Sequence, residues 1–220
     1  MKETEEIKIN PNKQYTKPLV KSGVWLATYK DETVGMNWFK HCGPGKINAT
    51  RVALLAVQGF TMVQGKLPGY LCLYGTALAT GDTQGLHECT QFIQHDMAIG
   101  PENYVTPEDN IPAVIGHEQG MRLGTSDTMS SQIGMHSPID GMDSTAYAVA
   151  KTCAEMKIDF RCFKYFTKNY PYSGNHDAWL ADCKKGATLM KQMCEERFED
   201  APSLMAGAEG HTTHSAGMGR

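Results

Sequence analysis

The sequence predicts an α/β fold, a single-domain twisted mixed sheet flanked by helices. Two observations carry this. Short apolar runs, glycine-containing loops and amphipathic segments alternate along the chain, as expected where a sheet is layered between helices. The run 70–74 (YLCLY) is apolar without interruption, which is typical of strands covered on both faces. A chain of 220 residues with 41% hydrophobic residues buries roughly 70% of its unfolded surface, so the core needs no disulfide or metal staple.

The elements follow in order. Residues 1–21 are polar and read as an arm, and residues 22–199 as the α/β domain. Residues 24–28 (VWLAT) form a strand ended by Lys30, Asp31 and Glu32. Residues 37–42 (NWFKHC) form a second strand, closed by Gly43-Pro44-Gly45. A helix then runs to residue 64, capped by Asn48 or Thr50, with Val52, Leu55, Val57 and Phe60 as its apolar face. Strand 70–74 ends at Gly75. Residues 88–97 alternate as a strand, and residues 98–112, with their prolines, read as a loop. Residues 113–126 contain a strand leading into Gly124-Thr125-Ser126-Asp127. Ser144 or Thr145 caps a helix through Met156. Residues 159–166 (DFRCFKYF) form a strand, and 167–176 an aromatic loop. Asp177 opens a helix to residue 199 with the stripe Leu180, Cys183, Ala187, Met190, Cys194 and Phe198. The small and polar residues 200–220 read as a flexible tail.

Composition excludes several function classes. With 21 basic and 24 acidic residues the net charge is −3, which argues against a nucleic-acid partner. No apolar run approaches the ~18–20 residues of a membrane span. The polar, acidic N-terminus is unlike a secretory signal. The seven cysteines are odd in number and contain no CxxC, so they read as buried thiols of a cytoplasmic protein. No HExxH or paired CxxC suggests a metal.

In α/β sheets ligands gather at the carboxyl ends of strands. Here those ends are residues 42–46, 74–77, 124–127 and 167–169, each small, polar or glycine-containing. Gly43-Pro44-Gly45-Lys46 precedes a helix N-terminus that favours an anion, although the spacing is not that of a Walker loop. The hydroxyls and amides of Gly75-Thr76-Ala77 and of residues 124–128 suit phosphate oxygens or sugar hydroxyls. Each motif alone also reads as a turn or a cap. Tyr170, Tyr172 and Trp179 suit stacking on a base or packing at a hinge, Asp177 a helix cap, and Asp96 a strand end.

Together, GPGKINAT (43–50), LYGTA (73–77), HDM (95–97), GTSDT (124–128) and STAYAVAKTCAEMKIDFRCFKYF (144–166) resemble the nucleoside phosphorylase superfamily. The likeness is greatest to methylthioadenosine/S-adenosylhomocysteine nucleosidases and shorter phosphorylase-like relatives, over about residues 22–195. It implies cleavage of a ribosyl C–N bond through an oxocarbenium-like transition state, by water or by phosphate. Such a reaction holds the ribose hydroxyls, usually with the Glu of a Met-Glu pair. It protonates the leaving base, usually from an Asp after the last strand, and activates water with a carboxylate.

The implied site departs from the pattern. Thr145 falls where the ribose-binding Glu stands, with Met142-Asp143 just before it, which makes Asp143 the candidate ribose ligand. Lys168 falls at the general-acid Asp, followed by Asn169, which suits a hydrogen bond to a purine nitrogen. Glu32 or Asp31 matches the water-activating carboxylate. Gly45, Gly75, Thr76, Ala77, Thr125, Ser126 and Asp127 are the implied substrate-binding positions. Leu78 replaces a glycine, and Met129 stands where an aromatic residue stacks on the base. The resemblance implies a homo-oligomer acting on a small nucleoside or nucleotide. No cofactor is implied, and phosphate enters only as a co-substrate. The expectation is a nucleosidase, with hydrolysis favoured over phosphorolysis because few arginines are available (Arg51, Arg122 and Arg161). The alternative is a nucleotide-binding protein that has lost the chemistry.

Overall fold

The apolar runs form the centre of a seven-stranded mixed sheet in a computed structural model, which describes residues 23–96, 120–128, 139–171 and 174–197. Its strands are β1 (Gly23–Ala27), β2 (Lys40–His41), β3 (Tyr70–Ala79), β4 (Gly85–Gln94), β5 (Met121–Thr125), β6 (Gly141–Asp143) and β7 (Asp159–Thr167). The helices are α1 (Lys46–Gln64), α2 (Ala146–Met156) and α3 (His176–Arg197), and a 3-10 turn, Lys30–Thr33, follows β1. The sheet order is β2-β1-β3-β6-β5-β4-β7, and β3 also pairs with β7, so five strands close into a ring. The expected mixed α/β sheet is therefore present. Side-chain alternation along β3 explains its apolar run: Leu71, Leu73 and Ala77 pack with α1 and α2, while Tyr70, Cys72 and Tyr74 pack with α3.

Several boundaries differ from the sequence reading, each for a physical reason. β3 does not stop at Tyr74. β7 pairs with it in parallel from Tyr70↔Asp159 to Leu78↔Thr167, so Gly75, Thr76 and Ala77 are strand residues rather than a loop. β2 keeps only two residues, because Phe39 turns inward to meet the Trp25 ring edge-on at 5.5 Å. β6, three residues long, is too short to leave a periodic signal.

Gly45 is the N-cap of α1 at φ 96°. The Asn48 amide donates to the Pro44 carbonyl at 2.8 Å and the Thr50 hydroxyl to that of Lys46 at 2.9 Å, so neither caps the helix. The face of α1 turned to the core is Ala49, Ala53, Ala56 and Val57, whereas Leu55 is 55% exposed. Small residues on that face let the helix approach α2 and the sheet closely. α3 begins at His176, with the Trp179 amide donating to the Asn175 carbonyl at 3.1 Å, so Asp177 lies in the first turn and is not the cap. The expected arm (1–21), the loop 98–112, residues 113–119, Met129, Tyr172 and the tail (200–220) lie outside the described residues. All seven cysteines are buried thiols. No helix among the described residues is long and apolar enough to cross a membrane.

One glycine sits against its local preference. Gly186 lies inside α3, where Ala would normally gain about 1 kcal/mol. A Cβ there would stand 2.6 Å from the Tyr74 hydroxyl and 2.9 Å from Tyr165 Cβ. Overpacking of this kind costs about 1–3 kcal/mol, so Gly186→Ala is expected to lower the urea midpoint rather than raise it.

Candidate active site

The ends of β1, β6 and β7 and the middle of β3 converge on a cavity of about 20 Å³, whose wall includes Thr28, Glu32, Thr76, Met142, Asp143 and Asn169. A cavity of this size holds one water. Its wall also includes Leu78, Tyr170 and Pro171.

The 3-10 turn after β1 carries Glu32 into the wall, where it is 1% exposed. Its Oε2 accepts the Tyr29 amide at 2.8 Å. Its Oε1 accepts the Thr76 amide at 2.6 Å and the Thr76 hydroxyl at 2.7 Å. The Trp179 indole N–H donates in turn to that hydroxyl at 3.1 Å, and the indole meets the Tyr29 ring edge-on at 5.4 Å. Trp179 thus fixes the hydroxyl that holds the carboxylate. Gly75 makes the approach possible: a Cβ there would lie 2.9 Å from Glu32 Oε2. Burial pushes the Glu32 carboxyl above its ordinary value, against the opposing pull of Lys164 and of the Thr76 and Tyr29 hydrogen bonds.

Asp143 closes β6 and is 4% exposed. It accepts the Thr125 hydroxyl at 2.7 Å, the Thr145 hydroxyl at 2.9 Å and the Ala146 amide at 2.9 Å. The Lys164 ammonium, itself fully buried, lies 2.7 Å from Asp143 Oδ2. A carboxylate offers about four acceptor sites, and three protein donors and one ion pair engage this one. Asp143 therefore does the capping at the start of α2 that the sequence assigned to Ser144 or Thr145. Thr125 also accepts the Tyr147 amide at 2.9 Å, and Thr145 shares a 3.2 Å hydrogen bond with Thr28. Met142 is buried opposite Leu78 in the β3–β6 pairing.

After β7, Asp182 of α3 accepts the Thr167 hydroxyl at 2.5 Å and the Asn169 carboxamide at 2.7 Å. Asn175 donates to the Asn169 oxygen at 3.1 Å. Asn169 itself lines the cavity, and its Nδ2 carries a second N–H beside the one given to Asp182. Lys168 stands apart from the cavity lining, with its ammonium 2.9 Å from the exposed Asp82.

The glycine turn before α1 forms a separate cluster. Asp127 Oδ1 accepts the Lys46 amide at 2.8 Å, and the Lys46 ammonium lies 3.0 Å from Asp127 and 2.7 Å from Asp96 Oδ1. The Asp127 amide donates to Asp96 at 2.7 Å. The helix N-terminus that favours an anion thus holds the protein's own carboxylate, packed 3.4 Å from where a Gly45 Cβ would be. Burial alone would lower the Lys46 pKa, but Asp96 and Asp127 together raise it. The Ser126 hydroxyl turns back to the Thr128 carbonyl at 2.6 Å.

The structure therefore brings Glu32, Thr76, Met142, Asp143 and Asn169 to one cavity, with Gly75, Thr125 and Thr145 directly behind them. Gly45, Ala77, Ser126, Asp127 and Lys168 stand outside its lining. Lys164, Asp182 and Thr28 are members that sequence reasoning missed. Among the described residues no group of three His, Cys, Asp or Glu side chains is placed to hold a metal.

No protein-family model and no curated protein sequence matches the chain. Solved structures do. The 5′-methylthioadenosine/S-adenosylhomocysteine nucleosidase of Neisseria meningitidis, in complex with methylthio-immucillin-A, superposes with a TM-score of 0.63 at 14% identity, over 80% of this chain and all of its own. The same enzyme type from Colwellia psychrerythraea, in complex with adenine, gives 0.62 at 12% identity over 82% of this chain and 98% of its own. Futalosine hydrolase of Helicobacter pylori gives 0.55 at 12% identity over 79% and 97%. The chain has the nucleosidase fold.

The Asp143 network makes a testable demand on Thr125. Thr125→Val keeps the shape but removes a donor to Asp143 and an acceptor for Tyr147, and unpaired buried groups of this kind cost about 1–3 kcal/mol each. The urea midpoint should fall accordingly, whereas Lys168→Ala, on the exposed pair, should leave it unchanged.

Proposed function

We propose that this protein hydrolyses the N-glycosidic bond of a purine nucleoside. The observation that carries the proposal is the Glu32 carboxylate, desolvated in the wall of a cavity the size of one water. In this reading Glu32 takes a proton from that water. The oxygen bonds to the anomeric carbon as the C–N bond breaks, and the bonding pair leaves with the base. The second N–H of Asn169 hydrogen-bonds a ring nitrogen of the departing base, which takes its proton from solvent. Glu32, Asp143 and Lys164 together carry one negative charge when both carboxylates are ionised, and this favours an oxocarbenium-like sugar.

The likeness to nucleosidases solved with adenine and with methylthio-immucillin-A supports the substrate class. The carboxylate of Asp127 at the N-terminus of α1 supports water over phosphate as the acceptor, so phosphate is not a co-substrate in this reading. The proposed protein is a cytoplasmic homo-oligomer. α1 carries Ile47, Met62 and Val63, each at least 79% exposed, and such a contact would cover them.

A second reading, binding without turnover, is favoured by one observation. The position matching the general acid is Lys168, held at the surface by Asp82, and Asn169 has no proton to transfer.

Chromatographic assay of base release from adenosine, inosine, guanosine, methylthioadenosine and S-adenosylhomocysteine, with and without phosphate, separates the readings. Hydrolysis predicts release that phosphate does not stimulate. It also predicts a ~10²–10⁴-fold loss in Glu32→Gln and retained activity in Lys168→Ala. Binding alone predicts retained ligand and no free base. Because Glu32 must be ionised to accept the proton, and its pKa lies above the ordinary 4.5, kcat/KM should fall as pH drops, with the midpoint of the acid limb above that value.

A further inference from the structure

Lys164 is fully buried in β7, and a buried ammonium is tolerated only when it is paired. The sheet register shows what it is paired with. Lys164 lies beside Gly75 in the parallel β3–β7 ladder, and side chains at matched positions of neighbouring strands project side by side from the same face. Gly75 projects nothing. The place of its missing Cβ is 2.9 Å from Glu32 Oε2, 3.1 Å from Oε1 and 3.2 Å from the carboxyl carbon. The Glu32 carboxylate, arriving from the turn after β1, thus occupies the slot next to Lys164 that a β3 side chain would otherwise fill. In the other direction the ammonium reaches Asp143 at 2.7 Å. The cation is therefore ion-paired with Asp143, and the second buried carboxylate, Glu32, fills the neighbouring slot over Gly75, where it feels the same charge.

We propose that Lys164 is a positioning residue of this site: its ammonium, shared between Asp143 and Glu32, keeps Glu32 an unprotonated acceptor at the cavity. The inference rests on the reading of Glu32 as the group that activates water.

The other titratable groups acting around Glu32 do not do this work. Cys42 at the end of β2, Tyr74 of β3 and Cys183 of α3 are neutral, with burial raising each of their pKa values. Asp31 on the same turn and Asp182 on α3 are carboxylates that act on that Cys183 site, and neither supplies a positive charge. Lys164 is the cation that favours it. Burial pulls Lys164 toward losing its proton, but Asp143, Cys162 and Glu32 outweigh this and hold it charged.

The test is a carbon-13 NMR titration of the Glu32 carboxyl in the full-length chain, with the resonance assigned by its loss in Glu32→Gln. Lys164→Met should move the midpoint up by about one to three pH units, the range an adjacent opposite charge commands. Lys164→Arg, which keeps the charge, should leave it near the wild-type value. Asp143→Asn removes the competing carboxylate and should move it down. An unmoved midpoint in folded Lys164→Met, or an upward shift in Asp143→Asn, overturns the proposal. Should Lys164→Met fail to fold, the directions in Lys164→Arg and Asp143→Asn decide. The titration needs no turnover, so a wild type that releases no base would sink the hydrolase reading while leaving this result intact. In an active enzyme, Lys164→Met should also shift the acid limb of kcat upward, a change that loose packing alone would not produce.

Discussion

Two carboxylates are buried where β1, β3, β6 and β7 meet, and charge is stable there only if each acceptor is matched. Asp143 meets this demand with three hydrogen-bond donors from β5 and the start of α2 and an ion pair to Lys164 of β7. That requirement fixes much else. It sets where β6 stops and where α2 starts. It also brings Thr125 into line with the Tyr147 amide and Lys164 to the inner face of the sheet. The short strand β6 is laddered to both β3 and β5, and Asp143 adds side-chain ties at its end. The ring of five strands is thus pinned from inside at the point where the cavity opens.

In the proposed chemistry the two acids take different roles because their surroundings differ. Asp143 faces a cation and three donors that belong to the fold. Glu32 is held by two backbone amides and one hydroxyl, and it lies against the cavity with only a share of Lys164. Divergent environments of this sort are how neighbouring carboxyls acquire separate roles. The chain from Trp179 through Thr76 to Glu32 connects the start of α3 to the same carboxylate. Movement of that helix terminus, next to the Asn169 loop, would therefore be felt at the proposed reacting group.

Much of the fold was legible in the sequence because β3, β7 and the two core helices have long, regular patterns. The site was legible in part. Thr76 lay in one of the ordered motifs, Glu32 was offered together with Asp31, and Asn169 came from its place after the last strand; the three line one cavity. Gly75-Thr76-Ala77 looked like a loop because glycine and threonine favour turns, and nothing local showed that Glu32, far away in the chain, fills the space over Gly75. Lys168 drew attention through its place in the motif, yet Lys164 four residues earlier carries the buried charge. Its signal was present: it falls in the row Phe160, Cys162, Phe166, all buried on one face of β7, where a lysine is out of keeping. Asp182 gave no signal, since a carboxylate on an amphipathic helix is ordinary until the fold turns it toward Thr167. Thr145 holds the N-cap position of α2 as read, but the side chain that caps was missed for a similar reason, because the strand-end Asp143 rather than the adjacent hydroxyl residues reaches the free Ala146 amide.

The carboxylate of Asp127 at the N-terminus of α1 also bears on the direction of the chemistry. A phosphorolytic cleavage conserves the energy of the glycosidic bond in a sugar phosphate and runs readily in reverse when that product accumulates. In the proposed hydrolysis the helix end is already neutralised by its own chain and the acceptor is water, which is always in vast excess. On the proposed chemistry the protein would act as a one-way valve, with flux set by nucleoside supply and no route back to nucleoside from the free base and sugar.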